Sequence, residues 1–460
     1  MNFRVDEIVA ATGGRLALGN PGATVGAIVT DTRTLAAGQG FLALRGEQFD
    51  GHDFLGAAVN RGAAALIIDR EDLLAGLNGF AAGGAVVVVR NTEAALAALG
   101  RAARARLKCP VIAVTGSCGK TTVKEMVGQI LGRHLKGRTP PASFNNQIGV
   151  PLTLLAADED DQFVLCEFGT NHPGEIAHLA GIGRPTVAVV TLVAEVHLEG
   201  LGSLDGVAAE KAAMVEAVPP EGVAILNADD QRVAAMARKC RGRAVTVGLH
   251  ARADLEARDF TQSVAGLRFT ADGATFEIPV LGEHQVVLAL AAAAAAREVG
   301  VPLAESAEAL RQFHPPKMRL AVQQAGDVTI LNDAYNANPR SMRAALGLLA
   351  LWPEKRKVVF CGDMRELGAA CRAAHEELGR AIAAAGVAQL VCVGPESAVT
   401  AHAAVAAGMA PGAVATFADS QAAAKVAGGL VRRGDLVLVK GSRLIHMEKV
   451  VEAIAASRGP

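Results

Sequence analysis

Val111-Ile-Ala-Val-Thr-Gly116-Ser-Cys-Gly119-Lys120-Thr121-Thr122 decides the reading of this chain. A short apolar, partly β-branched run predicts a buried strand. Glycines follow, and Lys-Thr-Thr opens a predicted helix. That order presents backbone N–H groups and a helix N-terminus to phosphates. Lys120 can reach terminal phosphates and the Thr121 hydroxyl a bound Mg²⁺. The common form, G-x-x-x-x-G-K-[ST], has a glycine where Val114 stands, so this loop is a shorter variant. A chance Gly-Lys-Thr in a turn is the competing reading. The strand before the loop and the helix after it favour a nucleoside triphosphate site.

The rest of the chain frames this motif. Its 460 residues predict about three domains. Net charge is −1, which argues against an electrostatic footprint for nucleic acid or a membrane surface. Apolar residues make up 51% of the chain but aromatics only 3%, so closely packed aliphatic helices are expected, not base-stacking platforms. The cysteines at 109, 118, 166, 240, 361, 371 and 392 form no C-x-x-C pair. They predict reduced, mostly buried thiols and a cytoplasmic protein. The charged start Met1-Asn-Phe-Arg-Val-Asp-Glu lacks the apolar core of a signal peptide. The most apolar stretch, residues 286–296, is too short for a membrane span and predicts a buried helix.

Domains are expected over 1–108, 109–314 and 315–460. Helical material from Glu93 to Leu107 leads into the second, and Phe313-His-Pro-Pro-Lys317 marks the second boundary. Strands are predicted over 163–167, 186–191 and 222–226, alternating with helices, which implies a parallel α/β sheet. Beyond residue 317 the βα rhythm repeats, with strands over 328–331, 357–361, 389–393 and 435–440. A Rossmann-like domain without a G-x-G-x-x-G fingerprint follows.

Glu167 closes the strand 163–167, where the carboxyl ends of a parallel sheet face a ligand crevice. It can hold Mg²⁺; on this motif alone an ordinary strand-end carboxylate is as good a reading. His197 follows the next strand; for a lone histidine a structural role is the stronger reading. Lys211 lies on a predicted helix, where most lysines are solvated. Asn332-Asp-Ala-Tyr335-Asn-Ala-Asn-Pro339 carries the only tyrosine of the chain and a density of polar groups that favours a binding loop over a plain turn.

Together these motifs resemble the Mur ligase superfamily over nearly the whole chain. Thr30-Asp-Thr-Arg33, Gly40-Phe-Leu-Ala-Leu-Arg-Gly46 and Phe49-Asp-Gly-His-Asp-Phe54 resemble its uridine-nucleotide domain. Thr139-Pro-Pro-Ala-Ser-Phe-Asn-Asn146 with Ile148-Gly-Val-Pro151 resembles its substrate loop. Asn171-His-Pro-Gly-Glu-Ile176 and His197-Leu-Glu-Gly200 also match. Tyr335-Asn-Ala-Asn-Pro-Arg-Ser-Met342, Gly362-Asp-Met-Arg-Glu-Leu-Gly368 and Val439-Lys-Gly-Ser-Arg443 are similar to the branch that adds D-alanyl-D-alanine.

The resemblance implies an α/β protein of three domains, with a central P-loop ATPase domain. The N-terminal domain would bind the uridine nucleotide and the C-terminal one would be Rossmann-like. It implies ATP-dependent amide ligation of D-Ala-D-Ala to UDP-N-acetylmuramoyl-tripeptide in peptidoglycan precursor synthesis, by a monomer, with ATP and Mg²⁺ as cofactors. Thr115, Gly116, Ser117, Cys118, Gly119, Lys120, Thr121, Thr122, His284, Arg319, Asp333, Tyr335 and Asn336 would hold ATP. Thr121, Glu167, His197 and a carbamylated Lys211 would hold Mg²⁺. Lys120, Lys211, His197 and Glu167 would form the catalytic set, and Thr32, Arg33, Arg45, Asn145 and Asn146 would hold substrate. The family's His-Asn-x-x-Asn, whose asparagines help hold adenine, reads His284-Gln-Val-Val-Leu288 here, so looser base selection is expected. Two alternatives remain at this stage. One is a folate polyglutamate ligase, against which the uridine-domain motifs argue. The other is a nucleotide-binding module without catalysis, against which Lys120, Glu167, His197 and Lys211 together argue.

Overall fold

A computed structural model describes residues 1–46, 48–141 and 143–458. Ala142 of the expected substrate loop and the last two residues of the expected third domain lie outside the described residues.

The phosphate-loop strand, Val111–Thr115, sits inside a seven-stranded sheet. Phe163–Glu167 flanks it on one side and Val187–Val190 on the other, both parallel to it. Val223–Asn227, Arg243–Gly248 and Leu255–Glu256 extend the sheet one way and Gly137–Arg138 the other. The central strands are apolar throughout because helices cover both faces. One face carries Lys120–Gly132 and the alanine-rich helix His284–Arg297. Alanines at 289 and 291–296 are buried and let these helices lie close, as the shortage of aromatics led us to expect. The other face carries Thr92–Arg106, Gly149–Leu155, Glu175–Gly183 and Leu204–Glu216.

N-terminal to this sheet, five strands assemble in the order Arg15–Leu18, Ala85–Val88, Ala65–Ile68, Gly40–Leu42, Ile28–Val29. C-terminal to it, six strands run in the order Ala321–Ala325, Val328–Asp333, Leu436–Lys440, Lys357–Gly362, Gln389–Val393, Val414–Phe417. The first is antiparallel and the other five are parallel. Residues 311–320, around the paired prolines, contain no helix or strand.

The structure adds strands that the sequence pattern does not reveal. Ala321–Ala325 and Val414–Phe417 are half-exposed edges without an apolar run. Arg258–Ser263, Gly266–Ala271 and Ala274–Ile278 form a separate antiparallel sheet, closed by stacked Phe269 and Phe276 with centroids 4.8 Å apart. The cysteines need a correction. All seven are free, but only Cys166, Cys361 and Cys392 are buried; the other four reach partial exposure. Among the described residues, no helix is long and apolar enough to cross a membrane.

Candidate active site

The strand Val111–Thr115 hands over to the helix Lys120–Gly132 through four residues whose geometry admits little else. Gly116 has φ +148°, and a Cβ there would lie 1.8 Å from Thr191 Oγ1. Gly119 has φ +85°, and a Cβ there would lie 2.8 Å from Leu288 Cδ2. The positive φ at both positions, and at Gly116 the approach of Thr191 as well, call for glycine. The loop is tied down from behind. Ser117 N donates to Leu192 O at 2.8 Å, Ser117 Oγ accepts from Ala194 N at 2.9 Å, and Thr191 Oγ1 donates to Cys118 O at 2.5 Å. Thr115 Oγ1 donates to Phe168 O at 2.8 Å, and Thr122 is buried. The first amides of a helix have no partners within it, so the loop presents a rigid anion seat.

This seat opens into a cleft of about 1320 Å³ between the middle and C-terminal sheets. Ser117 to Thr122, Glu167, His197, His284, Arg319, Asp333, Tyr335, Asn336, Asn145 and Asn146 all line it. Lys120 Nζ donates to Gly116 O at 2.7 Å. Burial pushes its pKa down, and Glu167 pulls the other way. Glu167 is only 1% exposed; its Oε1 accepts from Asn145 Nδ2 at 3.1 Å, while its Oε2 is buried without a partner. An orphaned carboxylate oxygen beside a phosphate seat fits a divalent cation, which would supply what the buried oxygen lacks.

His197, with φ +53°, places its Nδ1 against Glu366 Oε2 from the C-terminal sheet. Lys211 corrects the expectation of a solvated lysine. It is 2% exposed, because the helix Leu204–Glu216 turns this face onto the middle sheet. Burial, and then the charge of Lys120, lower its pKa to about 7. Its neighbour Glu210 accepts from Gly174 N at 2.7 Å and Ile176 N at 2.6 Å, fixing the segment 171–176.

The C-terminal sheet brings a second set of groups. Arg319 donates from its NH2 to Thr121 Oγ1 at 3.1 Å, and its guanidinium lies 4.0 Å from the centre of the Tyr335 ring. Tyr335 Oη meets Ser143 Oγ at 3.3 Å in the segment 139–146. Asp333 Oδ1 accepts from Leu320 N at 3.1 Å, and Oδ2 from Lys440 Nζ at 2.5 Å. Lys440 also donates to Asn336 O at 2.8 Å. His284 lies exposed on the cleft wall. Gln285 is buried with its Oε1 unpartnered, and Leu288 covers Gly119.

Thr32, Arg33 and Arg45 lie in loops that follow strands of the N-terminal sheet and are not on the cleft wall. Arg33 pairs with Asp31 at 2.7 Å and Arg45 with Asp69 at 2.7 Å. Asn146 has a structural duty as well: its Oδ1 accepts from Gly149 N at 2.9 Å, at the start of a helix. Three contributors escaped the sequence reading. Asn338 Nδ2 donates to Cys118 Sγ at 2.9 Å, Lys440 anchors Asp333, and Glu366 meets His197. Each stood inside a motif quoted above, but nothing in the sequence said what it touches.

Known proteins agree with this architecture. Residues 24–111 match the family description "Mur ligase family, catalytic domain", 114–296 "Mur ligase middle domain" and 318–443 "Mur ligase, glutamate ligase domain". The chain is 37% identical to the UDP-N-acetylmuramoyl-tripeptide–D-alanyl-D-alanine ligase of Escherichia coli, covering 94% of each, and 34% identical to that of Bacillus subtilis, covering 94% of this chain and 93% of that one. A crystal structure of MurF from Acinetobacter baumannii superposes with a TM-score of 0.88 at 31% identity, covering 99% of both chains. MurF ligase from Thermotoga maritima in complex with ADP superposes at 0.80 with 25% identity, covering 94% of this chain and 98% of that one. With three family domains in order and such relatives along nearly its full length, the chain belongs to the Mur ligase family and is of the MurF type.

Proposed function

We propose that the protein joins D-alanyl-D-alanine to UDP-N-acetylmuramoyl-tripeptide at the expense of ATP, in cytoplasmic peptidoglycan precursor synthesis, and that it acts as a monomer. The observation that carries this reading is the shared cleft. An anion seat on the middle sheet faces an orphaned carboxylate and a set of cationic groups delivered by the C-terminal sheet. The three domains follow the spans 1–108, 109–314 and 315–460. Thr32, Arg33 and Arg45 serve the uridine nucleotide, and Asn145 and Asn146 serve the peptide end.

The tripeptide carboxylate attacks the γ-phosphorus of ATP; the bond to the β,γ-bridging oxygen breaks and ADP leaves. The amine of D-Ala-D-Ala then attacks the acyl phosphate, loses a proton and expels phosphate. Lys120 turns from Gly116 O to the β/γ-phosphates, where it balances developing charge. Thr121, Glu167 and His197 would hold Mg²⁺, with Lys211 as a carbamate for a second ion. Mg²⁺, when bound, neutralises charge on the transferring phosphoryl group. Arg319, stacked on Tyr335, approaches the nucleotide from the opposite wall. Water must stay out while the acyl phosphate exists, and the two-sided cleft serves that need. The test is phosphate release with each substrate omitted in turn and the product identified by mass. Release that requires all three substrates is expected; release with ATP alone at the same rate overturns the reading.

A further inference from the structure

Two residues without glycine's freedom meet between the middle and C-terminal domains in left-handed backbone. His197 has φ +53° and Glu366 has φ +65°. Their side chains bond, Nδ1 to Oε2, and Leu198 N donates to Glu366 O at 3.1 Å. The side chains are 23% and 47% exposed, and an ion pair that open to water contributes little. Two strained residues are poorly explained by so small a gain. Strain of this kind persists where the surroundings over-determine it.

The surroundings do so here. Glu366 stands on a pedestal at the carboxyl ends of the C-terminal strands. Asp363 N donates to Val393 O at 3.1 Å, Ser397 N to Asp363 Oδ1 at 2.8 Å and Ser442 N to Asp363 O at 3.0 Å. Met364 N donates to His375 Nε2 at 3.2 Å, and Arg365 N to Ser442 Oγ at 2.9 Å. The segment from Asp363 to Arg365 is therefore fixed residue by residue, and Glu366 is aimed.

Its aim has a chemical consequence. A carboxylate on Nδ1 takes that ring proton as its hydrogen bond and leaves the lone pair on Nε2. That is the tautomer a cation requires, and ligating histidines commonly gain it from such a partner. Glu167, with its orphaned Oε2, lines the same cleft as His197.

We propose that Glu366 is a positioning residue that the C-terminal domain contributes to the cation site: it fixes the tautomer and orientation of His197, so that the site is complete only while that domain is docked. The proposal deepens the ligase reading and rests on it. Cation affinity and docking are then linked by one factor in both directions.

Glu366→Ala and Glu366→Gln test this in the full-length protein. Mn²⁺ binding is followed by electron paramagnetic resonance with the β,γ-imido analogue of ATP present, and analogue binding is measured separately in EDTA. Glu366→Ala is expected to weaken Mn²⁺ about 10- to 100-fold, as loss of such partners does elsewhere, while analogue binding without metal shifts less than about twofold. Glu366→Gln, which keeps an acceptor, should fall between, and it stands in if the alanine variant does not fold. On a His197→Ala background the same change should add almost nothing. Unchanged Mn²⁺ affinity, or an equal loss without His197, overturns the proposal. Wild-type protein that binds no Mn²⁺ with the analogue, or does not ligate, would instead overturn the ligase reading.

Discussion

Arg319 of the C-terminal domain donates a 3.1 Å hydrogen bond to the hydroxyl of Thr121, the residue after the phosphate-loop lysine. A threonine hydroxyl has two lone pairs and one proton. Arg319 uses one lone pair, so a cation on Thr121 must share the oxygen with a guanidinium or displace it. Tyr335 holds that guanidinium face-on, 4.0 Å from its ring centre, which gives it a second resting place.

Arg319→Met should therefore act in opposite directions on two observables. Without nucleotide, Mn²⁺ binding should tighten severalfold, because a competing positive charge has gone. Turnover should fall about 10²–10³-fold if the guanidinium balances charge on the phosphoryl group, as single electrostatic groups do elsewhere. Metal titration and steady-state rates on the same preparation decide it; a fall in turnover with looser metal binding contradicts the competition.

Lys120→Ala should abolish ligation and leave the fold intact. Its ammonium contacts Gly116 O, a local bond, so little packing depends on it. A loss of about 10²–10⁴ in rate at saturating ATP is expected, with circular dichroism unchanged. Near-normal turnover sinks the assignment.

What was legible in the sequence divides along these lines. The loop from Gly116 to Thr122 is read from neighbours in sequence, because strand, turn and helix start are local events. Lys211 was not legible: its helix has little amphipathic contrast, and the sheet it packs on decides that the amine is buried. Glu366 was not legible either, since its partner lies 169 residues away. Motif resemblance pointed to both segments but not to the contact. The edge strands escaped because an edge needs no apolar run.

Lys211, with its pKa lowered to about 7, carries a neutral amine over most of its population at pH 8. Only the neutral amine adds to carbon dioxide, so carbamate on Lys211 should increase as pH rises through about 7 and level off above 8. Carbon-13 bicarbonate should give a carbamate resonance that Lys211→Met lacks. The sign for stability follows separately. Between about 7 and the ordinary 10.5 the unfolded chain holds a proton that the folded chain does not, so this group makes stability rise with pH there. Urea unfolding of Lys211→Met should show a flatter profile across that window. Lys211→Ala should be nearly inactive and partly restored by a short carboxylate in solution. Full activity with an unmodified ammonium contradicts the assignment.

The base end of the cleft yields the last prediction. Leu288 covers Gly119 with methyl groups, so position 288 offers adenine no hydrogen bond. The amide left on this wall is Gln285, buried with Oε1 unpartnered. An unsatisfied buried carbonyl costs the empty protein about 1–3 kcal/mol, and the 6-amino group of adenine can satisfy it. Gln285→Leu should therefore raise the melting temperature of the free protein and lower kcat/KM for ATP. A net hydrogen bond of about 0.5–1.5 kcal/mol corresponds to a loss of roughly two- to tenfold. GTP, whose 6-oxo group gives that oxygen nothing to accept, should be affected less, so the ATP/GTP ratio narrows. Triphosphate contacts should survive, because the loop from Gly116 to Thr122 is tied down by Thr191, Leu192 and Ala194. Rates with both nucleotides, beside thermal melts, separate the possibilities. If the variant melts higher and still prefers ATP as strongly as before, the base is read elsewhere on the cleft wall, and the orphaned oxygen is only a cost to stability.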